Sequence, residues 1–461
     1  MLKKLHIKGF KAWKDTKELR MAPLTVLFGP NSAGKSSIGH LLLALKQTVL
    51  SADRRRALQL GDSKSLVDLG TYEDCIYSHD IAQTLDFSLE WTLPKRLEIR
   101  DPMKPKTGFG GSNLGLEVSI EANGSGQPVV SNLRYRLADA SLETLDIQYS
   151  RVDDGAFQLN SKNYAFVRTM GRAWPLDEPE KFYRISDQTR ARFQNSGFLS
   201  DLALAVEALF GSIHHLGPLR DEPRRIYPWS GESFEDVGTK GENVIGAMLT
   251  AQAQGRKINR KAKAANYDFI PFIAQWLKDI GVIHSFNLKQ VAEGRKEYEV
   301  LIKTSAKSSE VRITDVGFGI SQVLPAIVES FYAPQDSIIL MEQPEIHLHP
   351  QVQAGLADVF ISAIQSRENG NPRNVQLIVE SHSEHFLNRL QRRIAEQVLG
   401  PDEVAIYFCS SKRGEPSIEE LSIDEFGDIS NWPENFFGNE MEDLTARTVA
   451  AMARKQGKPD A

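Results

Sequence analysis

The sequence predicts an α/β fold, and three stretches of the chain carry that prediction. Residues 24–28 form a short β-branched and aromatic run, and a glycine-containing loop leads from it into an apolar helical run from Ser36 to Thr48. Between residues 85 and about 210, several runs alternate apolar and polar residues with period two, which is typical of an antiparallel sheet. From residue 335 onward, short apolar runs alternate with helical stretches, as in a parallel sheet.

The composition is that of a soluble globular protein. Lys and Arg total 55 against 60 Asp and Glu, the net charge is -5, and 41% of the 461 residues are hydrophobic, so whole-chain disorder and collagen-like repeats are excluded. Lys3, Lys4 and Lys8 stand where a signal peptide would be apolar, and no run reaches the length of a membrane helix. We therefore expect a cytoplasmic protein without a membrane partner. Cys75 and Cys409 are too few for a disulfide framework, and we interpret both as incidental thiols.

The chain is predicted to divide into five regions. Residues 240–284 have the three-to-four spacing of helices, and strand-like alternation returns at residues 298–302. The glycine-rich segment 107–112 is interpreted as a loop tip. The predicted regions are the N-terminal part of the α/β core (1–84), an antiparallel β-rich subdomain (85–210), a helical insertion with return strands (211–309), the C-terminal part of the core (310–440) and a polar tail (441–461).

Residues 29–36, GPNSAGKS, match the phosphate-loop pattern in full. Glycines let the backbone wrap closely around a phosphate, and the N–H groups of the loop and of the next helix bind the anion. Lys35 is expected to reach the β- and γ-phosphates, and the Ser36 hydroxyl to bind Mg²⁺. A strand before the loop and a helix after it supply the required context, so we predict ATP and Mg²⁺ as ligands. The predicted binding residues are Gly29, Pro30, Asn31, Ser32, Ala33, Gly34, Lys35, Ser36 and Ser37.

A second motif follows an apolar strand near residue 340. Residues 337–342, SIILME, end in Glu342, an acid placed as a nucleotide hydrolase requires to hold Mg²⁺ from a neighbouring strand, and residues 343–350 read QPEIHLHP. Together with the phosphate loop, this motif resembles the ABC-type ATPase heads of the class that contains the OLD, SMC and RecF-like proteins, over roughly residues 1–80 and 210–440. The resemblance implies a P-loop fold of the ABC-head type and an ATPase activity, with Glu342 as the Mg²⁺-side acid and position 343 as the catalytic one.

Position 343 departs from the pattern, because it is Gln where the class has an acid. Gln343 can orient the attacking water by hydrogen bonds, but it cannot accept its proton. We therefore expect slow hydrolysis. Glu345 could supply the missing carboxylate, or it could cap or pair within the turn.

Residues 315–322, DVGFGISQ, match the place of the ABC signature loop, because they precede the acidic strand and open a helix from Val323 to Ser330. In that class the loop reaches across a dimer to the γ-phosphate of the partner's ATP. The resemblance assigns Gly319 to the fixed glycine and puts Gly317 where a serine is usual, so that Ser321 or the backbone must contribute more. It also implies a homodimer, or a higher homo-oligomer, closed by ATP. The alternative is an ordinary glycine turn before a buried helix.

A strand at residues 376–380 is followed directly by Ser381 and His382. The resemblance assigns His382 to the switch histidine, which contacts the γ-phosphate and water. Four histidines nevertheless fall within a short stretch, and with Glu384 they could instead form a metal centre of a nuclease. These histidines are His347, His349, His382 and His385.

Several weaker assignments follow the same resemblance. Asp68 is the candidate for the Mg²⁺-facing position of the Q-loop, in a stretch that lacks the usual Gln. Phe10, Lys11 and Trp13 could flank the adenine or belong to the core. Arg220 could sense phosphate or DNA, or form a surface ion pair.

Five cations lie within eight residues on or near a predicted helix, and they are a solvated face or a DNA-backbone contact. They are Arg256, Lys257, Arg260, Lys261 and Lys263. At the other end of the chain, residues 426–437 resemble the C-terminus of a stand-alone subfamily of predicted ATPases with a domain of unknown function and no TOPRIM nuclease.

The leading hypothesis is an ATPase subunit that senses or clamps nucleic acid and controls a separately encoded effector, such as a nuclease, in antiphage defence. This hypothesis rests on analogy. The first alternative is a nucleotide-dependent scaffold that does not hydrolyse ATP, and the second is a metal-dependent nuclease that uses the histidine-rich segment.

Overall fold

The computed structural model describes residues 1–104, 106–140, 142–152, 155–171, 174–317, 319–412, 415–433, 436 and 440–455. The strands are β1 (Leu2–Phe10), β2 (Trp13–Arg20), β3 (Leu24–Phe28), β4 (Leu85–Arg100), β5 (Gly108–Ala122), β6 (Pro128–Asp139), β7 (Leu142–Arg151), β8 (Phe157–Ser161), β9 (Ile213–Leu216), β10 (Tyr227–Pro228), β11 (Lys257–Asn259), β12 (Tyr267–Asp268), β13 (Ser285–Gln290), β14 (Glu297–Lys303), β15 (Val311–Arg312), β16 (Ile338–Glu342), β17 (Arg367–Glu368), β18 (Asn371–Pro372), β19 (Gln376–Glu380), β20 (Val404–Lys412) and β21 (Glu415–Glu420). The helices are α1 (Lys35–Leu50), α2 (Tyr72–Cys75), α3 (Asp187–Arg190), α4 (Leu199–Gly211), α5 (Val244–Ala253), α6 (Phe269–Asp279), α7 (Gly319–Tyr332), α8 (Pro350–Gln365), α9 (Glu384–Ala395) and α10 (Glu440–Lys455), with 3-10 turns at Tyr77–His79, Ile313–Asp315 and Pro401–Glu403.

The central sheet has the order β21-β20-β3-β19-β16-β9. Five of its strands are parallel, and β21 is antiparallel to β20. Successive residues of β16 face opposite sides, because Leu340 belongs to one buried core and Ile339 to the other. A parallel sheet covered on both faces explains why these strands are continuous apolar runs in the sequence.

The antiparallel sheet has the order β2-β1-β4-β5-β6-β7-β8. Phe87, Leu89 and Trp91 of β4 are buried at every second position, as the alternation predicted. They share one core with helices α1 and α4 and with one face of the central sheet. Helices α5 to α9 pack with the other face. Among the described helices, none is both long and apolar enough to cross a membrane.

Two expectations about the β-rich region are wrong. Residues 108–112 are not a loop tip, because they belong to β5, and residues 108–111 pair with residues 97–100 of β4. Gly111 is a glycine for a steric reason, since a Cβ there would overlap the backbone of Ala138. The antiparallel sheet also crosses the predicted boundary between residues 84 and 85, because β1 pairs with β4.

Candidate nucleotide-binding site

The phosphate loop joins β3 to α1 at the carboxyl edge of the parallel sheet. Gly29 and Gly34 have φ values of 140° and 89°, and a Cβ at Gly29 would overlap the carbonyl of Cys409. Glycine is therefore required at both positions of the loop. Trp13 Nε1 donates to the Gly34 carbonyl at 3.0 Å and fixes the start of α1, whose first N–H groups point into the loop.

Lys35 and Ser36 both face Glu380, the last residue of β19. The Ser36 hydroxyl donates to Glu380 Oε1 at 3.0 Å, and Lys35 Nζ lies 3.8 Å from the same oxygen. Lys35 Nζ also donates to the carbonyls of Gly29 at 2.9 Å and Pro30 at 2.8 Å. Burial lowers the pKa of Lys35 and raises that of Glu380, because both charges are removed from water.

An open cavity of about 600 Å³ lies in front of the loop. It is lined by Lys11, Ala12, Asn31, Ser32, Gly34, Lys35, Ser36, Ser37, Gln343 and Glu380. The cavity combines a phosphate-binding backbone, two cations, a hydroxyl and a carboxylate. Oxygen ligands from Ser36 and Glu380 fit Mg²⁺, which prefers one or two protein carboxylates together with phosphate oxygens.

Glu342 ends β16 and lies beside a histidine from β9. His215 Nε2 is 2.9 Å from Glu342 Oε1, and Arg220 Nη2 donates to the Glu342 carbonyl at 3.5 Å. Burial alone would raise the pKa of Glu342, but the hydrogen bond with His215 and the nearby charges of His215, His40 and Arg220 lower it overall. Glu342 is therefore held ionised next to the phosphate loop, and it shares a small buried cavity with Lys35 and Ser36.

The Arg220 side chain is mostly buried, and its Nε and Nη1 atoms have no hydrogen-bond partner. Burial lowers its pKa to about 10 against the opposing effects of Glu342 and Glu345. The expected alternative of a surface ion pair is wrong for Arg220. Its position after β9, the neighbour of β16, places it at the same sheet edge as the phosphate loop.

Gln343 lines the cavity, whereas Glu345 is not among the lining residues. Gln343 has a positive φ of 44°, and its N–H donates to the Glu380 carbonyl at 2.8 Å. Glu345 is 6% exposed, and its Oε1 accepts from the Ser381 hydroxyl at 2.9 Å and the His382 N–H at 2.6 Å. Glu345 therefore fixes the acidic turn against the end of β19.

His382 lies against the phosphate loop. Burial lowers its pKa most and the charge of Lys35 lowers it further, whereas a backbone hydrogen bond with Gly29 raises it. Its Nε2 is buried and has no hydrogen-bond partner. This position, next to the loop that would hold the terminal phosphates, is compatible with the predicted switch role.

The other histidines do not converge with His382. His347 and His349 are exposed, and His349 caps α8 by accepting from the Gln351 N–H at 3.3 Å. His385 is exposed at the start of α9. Within the described ranges, no group of three or more His, Cys, Asp or Glu residues could hold a metal ion. The predicted nuclease centre therefore has no support in the part of the chain that the structure describes.

The signature segment lies at the start of α7, as predicted. Asp315 pairs with Arg225 at 3.0 Å, and Gly319 is the first residue of the helix. Gly317 is exposed, whereas Ser321 is buried. None of these residues lines the cavity in front of the phosphate loop. Phe318, within the same motif, lies outside the described residues.

Several weaker candidates fall away from the cavity. Asp68 is exposed, accepts from the Gly70 N–H at 3.1 Å, and is not among the lining residues. Phe10 and Trp13 are buried core residues, whereas Lys11 lines the cavity.

The basic run is not on a helix, because it covers β11 and the turn after it. Arg256 pairs with Glu368 at 2.7 Å, Lys257 with Asp268 at 3.3 Å, and Arg260 with Asp279. Lys261 and Lys263 are exposed. The run therefore offers the solvent fewer free cations than the sequence predicted.

Sequence reasoning missed two residues of the site, Glu380 and His215. Glu380 had one available signal, because it ends an apolar strand in an acid as Glu342 does. His215 had no such signal, since its partner Glu342 is 127 residues away.

Two sequence profiles match the chain. The profile of the AAA ATPase domain covers residues 237–387, which include the signature segment, the acidic turn and His382. The profile of a protein family of unknown function, DUF3696, covers residues 399–446 and agrees with the C-terminal resemblance seen in the sequence. No curated protein matches the sequence.

Three solved structures resemble the chain at low identity. One is an SMC head bound to the C-winged helix domain of ScpA, with 13% identity and a TM-score of 0.42 over 92% of this chain and 98% of that one. The SMC head domain from Thermotoga maritima has 11% identity and a TM-score of 0.39 over 92% and 99%. A Smc head domain with an extended coiled coil, bound to the C-terminal domain of ScpA and derived from Pyrococcus furiosus, has 13% identity and a TM-score of 0.37 over 91% and 96%.

The phosphate loop at the carboxyl edge of a parallel sheet and the AAA ATPase profile over residues 237–387 support a P-loop ATPase fold. They agree with the resemblance to ABC-type heads of the SMC, RecF and OLD class. This class was predicted from the phosphate loop and the acidic turn.

Proposed function

We propose that this protein binds ATP with Mg²⁺ and hydrolyses it slowly. One observation carries the proposal: Lys35, Ser36, Gln343 and Glu380 line a single cavity at the mouth of a phosphate loop. The backbone N–H groups and the Lys35 ammonium would hold the phosphates. The Ser36 hydroxyl and a carboxylate at the same edge of the sheet would hold Mg²⁺, which supplies positive charge against the charge that develops in phosphoryl transfer.

The slow rate follows from position 343. Gln343 can hold a water by hydrogen bonds, but it has no carboxylate to accept the proton. Glu345 does not replace it, because its carboxylate binds Ser381 and His382 and lies outside the cavity lining. His382 has one ring nitrogen bonded to the Gly29 carbonyl and the other, Nε2, without a partner, so Nε2 would contact the γ-phosphate and would donate to it only when the ring is protonated.

ATP would also close a homodimer. Gly317, Gly319 and Ser321 lie at the start of α7 and outside the cavity of their own chain, so a second subunit would supply them to the first. The helix N-terminus would then face the partner's γ-phosphate.

The proposed role is that of a nucleotide switch controlling a separately encoded effector, such as a nuclease, with nucleic acid as the trigger and antiphage defence as the setting. Lys261 and Lys263 are exposed cations of the basic run and would contact a phosphate backbone. This part of the proposal rests on the family resemblance.

ATP hydrolysis by the wild type and Lys35→Ala, with and without duplex DNA, tests the proposal. We expect a slow release of phosphate that Lys35→Ala abolishes and that an exposed lysine variant, Lys14→Ala, leaves unchanged. Stimulation by DNA would support a nucleic-acid trigger. Phosphate release that persists in Lys35→Ala would reject the assigned site.

A second candidate is a nucleotide-dependent scaffold without turnover, which Gln343 favours. In that case ATP would bind with Lys35-dependent affinity and remain intact for hours in a single-turnover assay. The same experiment therefore separates a slow ATPase from a scaffold.

A further inference from the structure

The position of Glu380 in the sheet sets it between the two motifs of the site. Strand β19 lies between β3, which leads into the phosphate loop, and β16, which ends in Glu342. In the register, Glu380 pairs with Leu27 on one side and with Glu342 on the other. Because all three strands are parallel, their carboxyl ends reach the same edge, and the two carboxylates lie at the same level.

The two carboxylates nevertheless have different partners. Glu380 Oε1 accepts from the Ser36 hydroxyl at 3.0 Å, and Glu380 lines the cavity with Gln343. Glu342 Oε1 is instead 2.9 Å from His215 Nε2, and Glu342 is absent from that lining. Of the two, Glu380 is therefore the carboxylate in contact with the hydroxyl that a phosphate loop offers to Mg²⁺.

We propose that Glu380 is a carboxylate ligand of the Mg²⁺ that accompanies ATP, with Glu342 held behind it by His215. This inference rests on the proposed ATP-binding function. Glu380 is 7% exposed, and its nearest cation, Lys35 Nζ, is 3.8 Å away while donating to two loop carbonyls. Burying a carboxylate whose nearest cation is shared with other groups costs free energy. A divalent cation bound to the carboxylate and to the phosphates would offset that cost.

A structural role as the counterion of Lys35 is the competing interpretation. It predicts that loss of the carboxylate loosens the phosphate loop and weakens nucleotide binding with or without metal. If Glu380 instead binds the metal, its loss changes the nucleotide affinity in opposite directions with and without metal. Without metal, removing a negative charge beside the triphosphate strengthens nucleotide binding, whereas with metal the lost ligand weakens it.

The experiment measures Mn²⁺ affinity by electron paramagnetic resonance of free Mn²⁺, in the presence of a non-hydrolysable ATP analogue. Glu380→Gln should raise the Kd for Mn²⁺ by at least about tenfold. In EDTA the same variant should bind the analogue at least as tightly as the wild type. Glu384→Gln is the matched control, because this exposed carboxylate begins the next helix, and it should change neither value.

Each other outcome has a defined meaning. An unchanged Mn²⁺ affinity in Glu380→Gln, with a loss in Glu342→Gln, would overturn the proposal and assign the metal to Glu342. Equal weakening with Mn²⁺ and in EDTA would establish the counterion role instead. A wild type that binds neither the analogue nor Mn²⁺ would reject the proposed function itself. If Glu380→Gln does not fold, Glu380→Asp carries the test, since a shorter carboxylate that retracts from Ser36 should still raise the Kd for Mn²⁺.

Discussion

At the scale of the residue, Gln343 decides how fast the site can work. Replacing it with Glu keeps the side-chain length and the N–H bond to Glu380, so the turn should keep its shape. The new carboxylate would share the cavity with Glu380, and a negatively charged neighbour raises its pKa and makes it a better base. Because general base catalysis contributes about 10²–10⁴-fold, we expect Gln343→Glu to raise kcat at least tenfold.

Single-turnover hydrolysis of ATP measures this effect without interference from product release. Gln351→Glu is the control. Gln351 is exposed at the start of α8, so this substitution adds the same charge outside the cavity lining. A rate equal to or below that of the wild type would show that a base at position 343 is not what limits hydrolysis.

The residues of the site differ in how visible they are in the sequence. The phosphate loop is local, so Lys35 and Ser36 could be assigned from spacing alone. Glu380 reaches Ser36 across 344 residues, and that contact depends on the strand order β3-β19-β16. A single sequence does not specify strand order, so the carboxylate that touches the loop could not be chosen from the motif.

At the scale of the element, Arg256 connects β11, α7 and β17. Its guanidinium pairs with Glu368, donates to the Tyr332 carbonyl at 2.8 Å, and lies over the Phe269 and Tyr332 rings. Arg256 and Glu368 are 14% and 13% exposed, so removing one leaves the other charge largely buried. We expect Arg256→Ala to lower the free energy of unfolding by about 3 kcal/mol.

Urea denaturation of Arg256→Ala and Lys263→Ala compares the stability contributions of a half-buried and an exposed cation of the same basic run. Lys263→Ala should change the free energy of unfolding by less than about 0.5 kcal/mol, because Lys263 is exposed. Equal stability of the two variants would mean that the Arg256 contacts contribute little.

Helix α7 also carries a buried carboxylate, Glu329, whose pKa is raised to about 7 by burial. His214, 3.3 Å away, and Arg373 lower this pKa, Asp236 raises it, and the Val237 N–H donates to the carboxylate at 3.0 Å. The unfolded chain loses this proton near pH 4.5, whereas the folded chain keeps it until about pH 7. The free energy of unfolding therefore falls as the pH rises from about 4.5 to about 7.

Glu329→Gln stays neutral at every pH and can still accept from the Val237 N–H. We expect it to be more stable than the wild type by up to about 3 kcal/mol at pH 8, and by less than about 1 kcal/mol at pH 5. Urea denaturation at the two pH values measures this difference. A gain that is larger at pH 5 would contradict the assigned direction.

The elements themselves were predicted where burial is complete. Strands β3, β16 and β19 and helices α1 and α7 follow their apolar runs, because both faces of the central sheet are covered. Residues 108–112 were missed, because their glycines reflect close strand packing and not a turn. Composition alone does not distinguish these two uses of glycine.

At the scale of the whole molecule, the two ends of the chain form one sheet. Strand β3 pairs with β20 on one side and β19 on the other, so residues 24–28 lie between strands from beyond residue 375. The phosphate loop and the acidic turn thereby become one site, as the resemblance implied. The cavity opens outward, and the signature segment of the same chain does not line it. We therefore expect the complete site to need a second copy.

Gly319→Asp tests that expectation without damaging the monomer. A Cβ at residue 319 would meet only Leu348 Cδ2 at 3.9 Å, and an acid in the first turn of α7 favours the helix, which has none there. In a dimer closed by ATP, the same carboxylate would face the partner's γ-phosphate and repel it. We expect the monomer to keep its stability while the Kd of the ATP-bound dimer rises at least tenfold.

Sedimentation velocity with a non-hydrolysable ATP analogue measures the dimer, and urea denaturation without nucleotide measures the monomer. Gly197→Asp is the control, because that glycine lies two residues before α4, has open space at its Cβ and is far from the signature segment in sequence. Dimerisation that survives Gly319→Asp would exclude this segment from the interface. Loss of monomer stability would mean instead that Gly319 serves the fold. A normal monomer that no longer dimerises would place the start of α7 on the nucleotide of the partner subunit.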